Sequence, residues 1–255
     1  DADIEWAGGV ARVANITYVY AKNVFDATQE IVDKNLAPIL SFSYGLCEPD
    51  VPPPAAAAVR DLAQQANAQG ITWIAASGDA GAATCDYANF PAFRGLAVSF
   101  PASLPEVTGV GGTEFNEGTT GGSMYWCSQT SNFVSACGYI PEVAWNTPSS
   151  RSLLASGGGV STLYPKPEWQ TGLGVPDNGA RNVPDLALAA SPSHDPYIVF
   201  SGGKQYTAGG TSFAAPVFAG ILALAGRLNG RTPITPPGFG NINPSLYAMA
   251  AHDAS

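Results

Sequence analysis

Histidine occurs only twice in these 255 residues, at His194 and His252, and Lys and Arg form no cluster anywhere. Eleven basic residues against twenty acidic ones leave a net charge of −9 and a pI near 4.5. That balance argues against nucleic acid and anionic membranes as partners. The longest apolar stretch, around Val217 to Ala225, falls far short of the roughly 20 residues that span a bilayer, so no membrane crossing is expected. The four cysteines, Cys47, Cys85, Cys127 and Cys137, make no Cys-x-x-Cys pair, and two histidines are too few to favour a Cys/His zinc centre. An even count reads instead as one or two disulfides in an oxidising compartment. Charged residues are only 12% of the chain and apolar ones 45%, the mark of a folded chain. Low charge with an acidic balance also suits secretion into an acid medium. The chain starts with Asp and shows no signal peptide, which reads as a processed or truncated N-terminus.

What is present alternates two periods. Ala2 to Val13, Val24 to Lys34 and Pro52 to Ala68 read as helices, the last opened by prolines that suit a first helical turn. Ile16 to Tyr20, Pro38 to Tyr44 and Ile71 to Ala75 read as strands. Strands separated by helices of that length predict parallel βαβ units and an α/β fold. Residues 81 to 156 are rich in Gly, Ser, Asn, Thr and Pro and read as loops around a cleft, with a β-like piece at Glu106 to Val110. A strand at Ile198 to Phe200 and an apolar helix from Ser212 to Leu228 follow. With no repeat and no linker-like run, a single domain over 1–255 is expected.

Three segments carry chemistry. In Gly209-Gly-Thr-Ser-Phe-Ala-Ala-Pro216 a serine enters the first turn of a helix, where free N–H groups and the dipole stabilise developing negative charge. That placement suits a nucleophile, although Thr211 or Ser212 could equally cap the helix. Ile74-Ala-Ala-Ser-Gly-Asp-Ala-Gly81 ends an apolar strand with an acid at the edge where α/β sheets place ligands; a plain Asx-turn is the other reading. Ile39-Leu-Ser-Phe-Ser-Tyr-Gly45 is either a core strand or one that can pair with an extended peptide.

In this order the three segments resemble the subtilisin-fold peptidases, whose fold is a mostly parallel central sheet flanked by helices. A Ser-His-Asp enzyme would need a His-Gly-Thr segment upstream, and none exists; His194 sits in Ser-Pro-Ser-His-Asp-Pro and His252 in a polar tail. With Asp in place of an oxyanion Asn, the sequence resembles the sedolisins, the serine-carboxyl peptidases. Asp3-Ile-Glu-Trp6, Pro101-Ala-Ser103, Val107-Thr-Gly-Val-Gly-Gly-Thr113, Tyr139-Ile-Pro-Glu-Val-Ala-Trp-Asn146, Ser156-Gly-Gly-Gly159, Val183-Pro-Asp185 and Asn243-Pro-Ser-Leu-Tyr247 extend the likeness over nearly the whole chain.

The resemblance implies Ser212 as nucleophile, Asp79 as the oxyanion-hole acid, and Asp3 as the acid backing the general base. It implies Ser43, Tyr44 and Gly45 as the substrate strand, and Ser77, Gly78, Ser156, Gly157 and Gly158 as walls near the S1 pocket. The general base itself, a Glu four residues before Asp3, falls ahead of residue 1, and neither Asp1 nor Glu5 has the spacing to replace it. Calcium is implied too, with its ligands beyond the C-terminus; Asp253 lies too close to Tyr247 and reads as an exposed tail residue. The expectation is therefore an acid-acting, secreted or lysosome-like endopeptidase core. Its substrates are peptides or proteins, its own propeptide is a partner, and it is monomeric. The alternative is an incomplete homologue that binds peptides without cleaving them. Cys127 is expected to pair with Cys137 across a short loop, and Cys47 with Cys85 at one sheet edge. Asn15-Ile-Thr17 satisfies the N-glycosylation pattern, with chance occurrence the favoured explanation.

Overall fold

The structure, a computed structural model, describes all residues except 88, 119–124, 128–135, 150–151, 229–237 and 254–255, and omits the side chain of Asp253. Its helices are α1 (Ala2–Val10), α2 (Val24–Asp33), α3 (Pro53–Ala68), α4 (Thr211–Leu228) and α5 (Asn243–Asp253). The strands are β1 (Ile39–Phe42), β2 (Leu46–Cys47), β3 (Thr72–Ala76), β4 (Ser99–Phe100), β5 (Thr108–Phe115), β6 (Glu142–Ala144), β7 (Gly159–Pro165), β8 (Ala180–Val183), β9 (Leu186–Ala189), β10 (Tyr197–Ser201) and β11 (Lys204–Ala208). Local chemistry starts the helices where expected. The Asn23 side chain accepts from the Phe25 N–H at the head of α2, and α3 opens on prolines whose missing N–H groups fall among the unpaired ones of a first turn.

The main sheet runs β1–β3–β5–β6, with β9 also on β5. β1, β3, β5 and β9 are parallel and β6 is antiparallel, giving the α/β, subtilisin-like arrangement. β3 is buried along its whole length because both faces are covered. Trp73 and Ala75 pack with Val32, Leu62 and Ala66 of α2 and α3, while Ile74 and Ala76 pack with Ala215, Phe218 and Leu222 of α4. On its outer side α4 carries α1. A Cβ on Gly220 would lie 2.8 Å from the Cβ of Val10 and 3.0 Å from the Ala7 carbonyl, so the missing side chain is what lets the two helices approach. Trp6 stands edge-on to Tyr197 at 4.5 Å, and Tyr197 stacks on Phe213 at 4.9 Å. These rings wedge α1 between α4 and the β10–β11 hairpin.

One expected strand fails to form. Ile16 to Tyr20 forms no strand; among the described residues nothing pairs with it. Tyr18 and Tyr20 are 71% and 81% exposed. A groove of about 980 Å³ lies among this segment, β1, α2 and α4. β-propensity names residues that fit a ladder but does not supply the partner strand. Within residues 81 to 156 the β-like piece expected at Glu106 to Val110 extends to Phe115 as a full strand. This is β5, the strand on which the sheet converges, whose glycines suit close packing against Val183, Pro184 and Ala190. His252 lies on α5 rather than in a tail, and the expected exposure of Asp253 concerns a side chain outside the described part. The disulfides pair as expected, Cys47 with Cys85 and Cys127 with Cys137.

One buried ion pair ties the far edge together. Arg181 and Asp185 have fully buried side chains and meet in a fork, at 2.5 Å and 2.6 Å. Asp185 also accepts from the Gly109 N–H and the Tyr247 hydroxyl, linking β8, β5 and α5. Removing one partner of such a pair strands the other charge in low dielectric. Arg181→Ala is therefore expected to cost about 3–5 kcal/mol in urea unfolding, and a loss below about 1 kcal/mol, the scale of an exposed pair, would contradict this account.

Candidate active site

The parallel pairing of β1 with β3 in the register Phe42 to Ala75 releases the segments Ser43–Gly45 and Ser77–Asp79 at the same edge of the sheet. α4 begins against that edge. Gly210 adopts a φ of +121°, and a Cβ there would lie 2.7 Å from Asp79 Oδ2, so the turn into α4 demands glycine for both its conformation and its contact. The first residue of the helix then reaches back. Both the Thr211 backbone N–H and the Thr211 hydroxyl donate to Asp79 Oδ1, at 2.7 Å and 2.8 Å. The Gly78 N–H donates to the Thr211 hydroxyl oxygen at 3.1 Å.

Burial pushes the Asp79 carboxyl above its ordinary value of 3.8, and the two Thr211 donors pull it part of the way back. Desolvation penalises the anion, while hydrogen bonds to Oδ1 favour it. Burial is the larger cause.

Ser212 follows Thr211. Its hydroxyl donates to the Ser43 carbonyl at 3.3 Å. The Ser43 hydroxyl in turn hydrogen-bonds the Asp3 carboxylate and lies 3.1 Å from the Ser212 carbonyl oxygen. The structure thus brings Ser212, Ser43 and Asp3 together, with Asp79 bonded to the neighbouring Thr211. Among the described residues no carboxylate or imidazole accepts from the Ser212 hydroxyl. His194 is turned elsewhere, with Glu117 at 3.6 Å and Asp195 at 3.5 Å, which removes the Ser-His-Asp arrangement.

The remaining residues divide between lining and scaffolding. Tyr44 is 66% exposed and Gly45 sits against Ser99, leaving this strand end open to an extended ligand. Ser77 and Gly78 meet Gly157 directly: the Ser77 hydroxyl donates to the Gly157 carbonyl at 2.7 Å, and the Gly157 N–H to the Gly78 carbonyl at 2.6 Å. The Ser156 hydroxyl accepts from the Gly112 N–H at 2.8 Å, so that side chain holds β5, and Gly158 packs beside Val183 and Pro184. The Cys47–Cys85 bridge spans 38 positions and staples the two segments that leave β1 and β3. Sequence reasoning read Thr211 only as a cap. Its contact with Asp79 joins positions 132 apart, and nothing local announces it.

For a metal, the residues present offer little. The one group of three ligating types close enough together among the described residues is Cys47, Asp50 and Cys85. Its cysteines are spent in the disulfide and its Asp50 is paired with Arg94. That is not the set of oxygens calcium takes.

Comparison with known proteins adds an independent line. The Subtilase family matches residues 3–236. Sedolisin of Pseudomonas sp. (strain 101) is 33% identical over 77% of this chain, which spans 31% of that protein. Kumamolisin of Bacillus sp. (strain MN-32) is 33% identical over 98% of this chain, which spans 42% of it. The chain therefore spans less than half the length of these relatives. Among solved structures, Pseudomonas sedolisin (serine-carboxyl proteinase) complexed with two molecules of pseudo-iodotyrostatin superposes with a TM-score of 0.73 at 29% identity, covering 92% of this chain and 59% of that one.

The titration of Asp79 has a consequence for stability that needs no substrate. A carboxyl whose folded value is raised contributes stability that is fully present below the unfolded value and is lost as pH rises through the folded value. Relative to Asp79→Asn, which cannot ionise, the wild type is expected to lose stability as pH climbs above 3.8 toward neutrality. Urea unfolding of both proteins across that range checks it; a difference that is flat, or that grows in favour of the wild type, would contradict an Asp79 carboxyl raised by burial.

Proposed function

Because the chain belongs to the Subtilase family and resembles its sedolisin members in sequence and structure, we propose that it is the catalytic core of a serine-carboxyl endopeptidase acting on peptides or proteins in acid. The observation that carries this reading is the placement of Ser212 at the head of α4 next to Thr211, which holds the Asp79 carboxyl through two hydrogen bonds, while burial raises that carboxyl above its ordinary value. An oxyanion needs a donor, and a carboxyl donates only when protonated.

In the proposed reaction an extended substrate lies along Ser43, Tyr44 and Gly45, with its S1 side chain between Ser77–Gly78 and Ser156–Gly158. Ser212 Oγ attacks the carbonyl carbon, and its proton passes to a carboxylate base. That base is a Glu four residues ahead of Asp3, before residue 1, and Asp3 holds and tunes it. Asp79 donates to the oxygen that becomes negative. The base then protonates the leaving amine as the C–N bond breaks, leaving an acyl ester on Ser212, and water repeats the sequence to release the acid. A carboxylate base and a carboxyl donor share one requirement, a low working pH. Both suit a secreted or acid-compartment enzyme made with a propeptide and working as a monomer within a single catalytic domain. Calcium, if held, is proposed at residues beyond 255, and no step above runs through it.

One observation favours a second reading, a peptide-binding homologue without hydrolysis: no base among the described residues contacts Ser212. Peptide aldehydes decide between the two in the full-length protein. The peptidase reading expects a covalent adduct on Ser212, loss of hydrolysis in Ser212→Ala, and a fall in kcat of about a hundredfold or more in Asp79→Ala. Reversible peptide binding with no adduct and no cleavage would establish the binding homologue instead.

A further inference from the structure

Two donors converge on one oxygen of Asp79 and none among the described residues reaches the other. The Thr211 N–H and hydroxyl both point at Oδ1. The hydroxyl has a single hydrogen, and its oxygen already accepts from the Gly78 N–H, so the hydrogen is directed at Asp79 rather than free to rotate. Thr211 is fully buried, which keeps water from competing for these bonds. An oxygen whose two lone-pair sites both face donors cannot carry a proton of its own without displacing at least one of them.

We propose that Thr211 is a positioning residue that fills Asp79 Oδ1 with two donors and thereby confines the acid proton to Oδ2, making that oxygen the donor to the substrate oxyanion. The inference rests on the oxyanion role proposed for Asp79 and deepens it. A neutral carboxyl has two oxygens and one proton, so burial alone leaves open which edge donates; Thr211 removes that ambiguity. The same hydroxyl also favours the anion, so it sets the upper pH limit of the donor as well as its direction. Among the described residues, burial and these two hydrogen bonds are the causes that act on the carboxyl.

The test is Thr211→Val, which keeps the shape and the backbone donor, beside Thr211→Ser, which restores the hydroxyl. In the full-length protein Thr211→Val is expected to move the falling limb of the kcat profile toward neutrality by about one pH unit, and to lower the acid plateau about fivefold as the carboxyl loses its second restraint. Thr211→Ser returns both toward the wild type. In an Asp79→Asn background, where no proton has to be placed, Thr211→Val moves no pH limb. A purely structural Thr211 predicts instead a lower Tm with an unmoved profile, and that result overturns the proposal. So does a shift that persists in the Asn background.

A readout without substrate separates this from the peptidase reading. The stability difference between wild type and Asp79→Asn, followed against pH, moves upward by the same one unit when Thr211 is Val. If the protein cleaves nothing but this curve moves, Thr211 still controls the proton and only the peptidase reading falls; if the curve stays fixed, the proposal falls whatever the activity.

Discussion

A carboxyl group held against the first turn of a buried helix is pulled two ways. The dipole and the free N–H groups of the helix favour the anion, while removal from water favours the neutral acid. At Asp79 the second effect is the larger, and two donors from Thr211 limit but do not reverse it. The remaining geometry of the site follows from keeping that contact. Gly210 must lack a side chain to leave Asp79 its place, and α4 must start at the edge of β1 and β3 for Thr211 to reach it. α1 must lie close on α4 for Asp3 to meet the Ser43 hydroxyl, whose residue in turn meets Ser212.

The fold supplies these conditions with little charge. The face of the sheet toward α4 is closed by small and aliphatic side chains, and α1 is seated by the absence of a side chain at Gly220 and by the Trp6–Tyr197–Phe213 ring stack. The one fully buried ion pair among the described residues, Arg181 with Asp185, stands at the other edge, where it joins β8 to β5 and α5. Near Ser212 the polar groups among the described residues are mostly hydroxyls and backbone amides, so few fixed charges act on Asp79. Its protonation is then governed by burial and two hydrogen bonds, which makes single side chains effective handles on pH dependence.

Much of this was legible in the sequence because it is local. Gly209-Gly-Thr-Ser announces a tight turn into a helix with a serine in its first turn, and Ile74 to Asp79 announces a buried strand ending in an acid. The parallel α/β sheet follows from the alternation of Val24 to Lys34, Pro38 to Tyr44, Pro52 to Ala68 and Ile71 to Ala75. What stayed hidden depends on distant partners. β5 reads as β-like only at its start, in Glu106 to Val110; its glycine-rich remainder has weak strand propensity, yet the strand is central because Pro184, Ala190 and Trp145 crowd its surface. Ile16 to Tyr20 has strong propensity and no partner among the described residues. The Ser156 hydroxyl, expected beside a substrate pocket, is committed to the Gly112 N–H, a contact that spacing does not disclose.

The central claim is that Asp79 is a neutral donor whose proton sits on Oδ2. Neutron diffraction from crystals of the full-length protein grown in acid, with a peptide aldehyde bound at Ser212, locates that proton directly. The account predicts a deuteron on Asp79 Oδ2 directed at the adduct oxygen, with the Thr211 hydroxyl and N–H both donating to Oδ1. An ionised Asp79 in that complex, or a deuteron on Oδ1, would contradict it.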